Sequence, residues 1–124
     1  MLTIRKEQLE VLEAYMLARF CDRLRRHLRC ELAEETRHRS DEELLPIIQA
    51  GIQRGRQYGI ATERDLTLFV DLLFLHSPHF EEAPDMAWAK KILVNCELAG
   101  ENKMSLIYQR LAAQQQPEPS PGSD

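Results

Sequence analysis

Leu9, Leu12, Met16, Phe20, Leu24 and Leu28 follow one another at steps of three and four residues, the spacing that gathers side chains on one side of an α-helix. The ladder predicts a first helix of about 26 residues, roughly 40 Å long at 1.5 Å per residue, with Thr3 placed to cap it. Asp22, Arg25, Arg26 and Arg29 fall on the opposite face and are expected to look at water or at a partner. Few β-branched runs and an aromatic content of 6% lean the rest of the chain toward helix as well.

From Glu31 to Arg39 the pattern fades into charge, which reads as a frayed helix end and a loop. Ser40 and Glu43 then form a capping box, the Ser oxygen accepting from the third helical amide while the Glu side chain reaches back. Pro46 lies six residues into this second helix, where its missing amide hydrogen predicts a short turn or a kink. Gly59 is placed to end it in a left-handed cap. Gly51 and Gly55 share a side with Gly59, each interior Gly costing about 1 kcal/mol of helix propensity, so close approach of another helix is expected there. Thr62 caps a third helix, apolar nearly all round from Leu66 to Leu75 except for Thr67 and Asp71, and therefore central. It ends near His76-Ser77-Pro78. After a loop at Phe80–Pro84, Asp85 is expected to cap a fourth helix with Trp88, Ile92, Leu93 and Cys96 inward, and Gly100 to end it. A fifth helix from about Lys103 turns Met104, Ile107, Tyr108 and Leu111 to the core. The expectation is one all-α domain over residues 1–113, a compact bundle of about five helices. The Pro- and Ser-rich segment 114–124 is expected to be a disordered tail.

A chain of 124 residues and 14.4 kDa has room for one core and can stand without metal or disulfide staples. Three cysteines, Cys21, Cys30 and Cys96, are an odd number that argues against a disulfide framework and fits a reducing cytoplasm, although a single bridge stays open. No apolar stretch has the length of a signal peptide or a bilayer span, so neither export nor a membrane partner is expected. The net charge of −4 argues against a nucleic-acid polyanion as partner. That charge is unevenly spread: residues 1–39 are net basic and residues 60–124 net acidic.

Site chemistry is sparse. His27 and Cys30 lie three apart with His38 beyond them, a spacing open to zinc, but a fourth ligand and paired Cys-x-x-Cys spacing are absent. By phase both belong to the apolar face as packing residues. Pro78 breaks the helix that would align His76 with His79. Ser40, Ser77 and Ser105 have no strand-and-elbow context. Glu42/Glu43 and Glu81/Glu82 sit where helix starts and loops ordinarily hold solvated acids. Gly51, Gly55 and Gly59 lack the strand and the following Lys of a phosphate loop. No catalytic, cofactor-binding or metal-ligating residue is therefore assigned. The cluster Arg25, Arg26 and Arg29 can make bidentate contacts to carboxylates, which makes it the candidate partner-binding face; a merely solvated helix face is the competing reading.

Tyr58-Gly59-Ile60, Thr62-Glu63-Arg64-Asp65, Phe69-Val70-Asp71, Phe80, Pro84, Trp88-Ala89 and Ile92-Leu93 form a pattern that resembles small all-helical accessory proteins encoded in bacterial type VI secretion effector clusters. The pattern covers about residues 44–95 and consists of caps and core positions, leaving the Arg-rich first helix outside. The resemblance implies a cytoplasmic, non-enzymatic adaptor or co-chaperone that meets an effector-loading chaperone or an effector. An immunity protein or antitoxin, its acidic residues 60–124 facing a basic toxin, is the alternative.

Overall fold

The computed structural model describes residues 5–115, so the Thr3 cap and most of the 114–124 segment lie outside the described residues. Six α-helices follow in order: α1 (Lys6–Glu31), the single turn α2 (Ala33–Thr36), α3 (Asp41–Gln57), α4 (Glu63–Leu75), α5 (Ala87–Leu93) and α6 (Gly100–Gln115). Two 3-10 turns, Phe80–Glu82 and Pro84–Met86, lie between α4 and α5. No strand occurs among the described residues, and the all-α bundle expected from the spacing is the fold. Gln114 and Gln115 extend α6 past the expected boundary.

α4 is the central element, packed against α1, α2, α3 and α6. Its Leu66, Phe69, Val70, Leu72 and Leu73 are all buried, as a helix apolar nearly all round requires. The α3/α4 contact is made close by glycine. A β-carbon built on Gly51 would stand 2.6 Å from Leu73 Cδ1, and one on Gly55 would stand 2.7 Å from Leu66 Cδ2 and 3.3 Å from a Phe69 ring carbon. The propensity lost at these positions is thus exchanged for helix approach. Gly59 adopts φ +83° after the C-cap Tyr58, the left-handed stop expected of it. α3 passes through Pro46 as one helix; Glu42, whose carbonyl would have met the missing amide hydrogen, is exposed to water.

Several sequence expectations need correction. Gly100 opens α6 instead of ending the helix before it, because a β-carbon built on it would stand 2.8 Å from the Gly59 carbonyl oxygen and 2.9 Å from Ile60 Cα, so the missing side chain is what lets α6 start against that backbone. Asp85 is not a side-chain cap: it sits in the second 3-10 turn, and its backbone carbonyl accepts from the Trp88 indole. Phe80 is fully buried edge-on to Phe69 with ring centroids 5.6 Å apart, whereas Trp88 is half-buried beneath the Arg110 guanidinium. Cys30 is exposed, and only Cys21 is buried. The largest departure is in α1, where Phe20, Leu24 and Leu28 are buried but Leu9, Leu12 and Met16 are exposed. Each step of four residues rotates the ladder by about 40° on a helix of 3.6 residues per turn, so the four steps from Leu12 to Leu28 carry it nearly half-way round. The ladder is a spiral, and only its C-terminal half faces the core.

Candidate protein-interaction surface

Where α1 crosses α3 the two helices leave a groove of about 510 Å³, floored by Ala14, Leu17, Ala18, Cys21 and Ile48, with Leu45 at its edge. Its floor is apolar because α1 presents small residues there and α3 presents Ile48, and Leu45 at the edge is exposed. Burial pushes the Cys21 thiol above its ordinary value, opposed by the nearby Arg56 charge, so the thiol behaves as a small apolar group. The rim is charged, with Asp22 and Arg25 from α1 and Asp41 and Glu42 from the first turn of α3. An apolar floor with a charged rim is the anatomy of a protein-binding surface.

The three arginines assigned to partner binding are all engaged inside the chain. Arg25 donates to Asp22 at 2.7 Å and approaches Asp41. Arg26 donates to the other oxygen of Asp22. These bonds, Arg25 first, hold the Asp22 carboxyl below its ordinary range. Arg29 donates to Asp41 at 2.8 Å and to the backbone carbonyls of Thr36 and Arg39, each at 2.6 Å. It therefore ties the α1 C-terminus to the α2–α3 connection, a fold-holding task that helical phase alone did not reveal. Arg25 lines the groove rim. Arg26, with 66% of its side chain exposed, is the most accessible of the three.

Four polar contacts elsewhere join residues that no short-range pattern pairs. Glu81, expected to be a solvated loop acid, has 1% of its side chain exposed and accepts from Arg54 at 2.9 and 3.1 Å; Arg54 also donates to the Pro78 carbonyl and lies over the Phe69 ring. The buried Lys103 ammonium donates to the carbonyls of Tyr58 and Leu93, closing the C-terminal ends of α3 and α5. His27 meets Asp71 at 2.9 and 3.1 Å, joining α1 to α4. Burial raises the Asp71 carboxyl above its ordinary value while His27 pulls it down. Tyr108, whose hydroxyl donates to the Leu68 carbonyl, is likewise raised by burial and then by the Asp71 charge.

A His–carboxylate pair is the orienting half of a nucleophilic triad, but no Ser, Thr or Cys side chain hydrogen-bonds His27 among the described residues. No group of three or more His, Cys, Asp or Glu side chains converges as a metal would require among them, and no helix among them is long and apolar enough to cross a membrane. Comparison with protein-family models, with curated proteins and with solved structures found no match.

Proposed function

We propose that this chain is a non-enzymatic protein-binding adaptor or co-chaperone in type VI secretion effector loading, holding an effector-loading chaperone or its effector in the cytoplasm of the producing cell. The observation that supports protein binding is the α1/α3 groove, an apolar trough with Leu45 exposed at its edge and Arg25 on its rim. A groove of this kind accepts the apolar face of an amphipathic helix. The secretion context rests on the resemblance of residues 44–95. Arg25 and Arg26 share the single carboxylate of Asp22, so a partner carboxylate at the rim relieves that sharing with a charge-assisted bond.

The test is affinity purification of the full chain from a type VI-competent host, repeated with Ala18→Trp to fill the groove. The reading predicts a chaperone or effector that co-purifies with wild type and is lost with Ala18→Trp, and a delivery defect when the gene is removed. A co-purifying toxin whose lethality this chain alone suppresses would replace the adaptor with the immunity reading.

A further inference from the structure

A second apolar face lies on the N-terminal half of α1, beside the groove. Leu9, Val11, Leu12, Tyr15 and Met16 are between 43% and 70% exposed. At about 100° per residue they occupy one continuous arc, with Leu12 and Tyr15 at its middle, centred about 150° from the buried Phe20, Cys21, Leu24 and Leu28. The stripe thus faces away from the core, and none of these five is buried by another element of the described chain. Taking roughly 150–200 Å² for such a side chain fully exposed, the five exposures amount to about 500 Å².

We propose that this stripe is the interface of a two-fold antiparallel dimer, in which α1 of one copy lies along α1 of the other. Two such stripes can bury at most about 1,000 Å², the lower edge for a specific interface. The charges choose both the partner and the direction. Setting Leu12 of one copy on Tyr15 of the other continues the seam outward to Gln8 on Arg19 and to Arg5 beside Asp22, where it would join Arg25 and Arg26 on that carboxylate, with every contact made twice about the axis. A parallel pair would set Arg5, Arg19 and Asp22 each against its own like charge. Glu7 and Glu13 flank the arc on its two sides, with Arg5 and Arg19 within it, and an anionic bilayer as the occupant would meet both acids. The face meets the α1/α3 groove only at Asp22 on its rim, so the dimer would present two grooves, and its failure would leave the groove reading standing.

Sedimentation velocity on the full chain up to about 100 µM tests the association: a species of twice the 14.4 kDa chain mass is expected, and Leu12→Glu with Tyr15→Glu should yield a monomer of unchanged circular dichroism. Direction is read by mixing Arg5→Cys chains with Asp22→Cys chains, each carrying Cys30→Ser and Cys96→Ser, under mild oxidation. The antiparallel pair predicts a disulfide-linked heterodimer, because a parallel pair would hold these positions about 26 Å apart. A wild-type monomer, a dimer that survives the double glutamate variant, a dimer whose mixed chains do not link, or retention on anionic phosphatidylserine vesicles without self-association each overturns the proposal.

Discussion

Removing Arg54 should damage this fold more than removing Glu81, although the two form one ion pair. The Glu81 side chain is 1% exposed and that of Arg54 is 21% exposed. Arg54→Met keeps the aliphatic stem over Phe69 but withdraws the guanidinium that satisfies both carboxylate oxygens, leaving a buried charge unpaired. Orphaning a buried charge costs about 3–5 kcal/mol, or roughly 10–20 °C of melting temperature for a chain of this length. Glu81→Gln leaves a neutral amide that still accepts one hydrogen bond, while Arg54 retains the Pro78 carbonyl at 2.7 Å and a path to water. Its cost is about 1–2 kcal/mol, the difference between a charged and a neutral hydrogen bond. The double variant should be less destabilised than Arg54→Met alone, since it removes the orphan charge. Urea unfolding of the four proteins at neutral pH measures all three quantities. Equal losses in the two single variants, or a double variant no more stable than Arg54→Met, would refute the assignment of the damage to an orphaned carboxylate.

Gly55→Val should cost about 2–4 kcal/mol by urea unfolding, because Leu66 Cδ2 and the Phe69 ring already crowd the first added carbon; a stability equal to or above wild type would mean α4 can retreat. Asp71 has a folded value raised above its ordinary 3.8 by burial, so its contribution is complete below that value and is lost as pH rises through the folded one. Asp71→Asn should therefore gain stability relative to wild type as pH rises above the ordinary 3.8, and a relative loss on that rise would make the His27 attraction the larger effect. Trp88→Ala should cost about 1–3 kcal/mol in thermal melting, less than a fully buried Trp, because the ring is only half-buried, with the Arg110 guanidinium over it. Arg29→Glu should lower the melting temperature more than Arg26→Glu, since Arg29 holds the Thr36 and Arg39 carbonyls whereas Arg26 reaches only Asp22.

Local signals carried over well into the structure wherever the cause was itself local. Ser40 with Glu43, Thr62 with the Asp65 amide, and Gly59 with its positive φ stand where the cap rules put them. The four-residue glycine spacing also foretold the α3/α4 approach. Legibility failed where the deciding partner is distant in the chain. Arg54 and Glu81 are 27 residues apart, His27 and Asp71 44, and Lys103 and Tyr58 45, and no short-range pattern marks any of these pairs. Gly100 misled for a related reason: what it accommodates is the backbone of residues 59 and 60, not the end of its own preceding helix. On α1 the apolar spacing was read as one face, but its rotation divides it between the core and an outward stripe. The groove is less legible still, because Ala14, Ala18 and Leu45 acquire meaning only once two helices cross.

The most direct test of groove binding places a photo-reactive amino acid at Leu45, at the groove edge, and in a parallel chain at Glu101, which is exposed on α6. Both full-length chains are expressed in a type VI-competent host, irradiated, and the adducts identified by mass spectrometry. The account predicts a covalent adduct from position 45 to one partner, a type VI effector-loading chaperone or effector, with none from position 101. An adduct formed equally from both positions, or only from position 101, would contradict it and move the binding surface to the acidic side of the bundle.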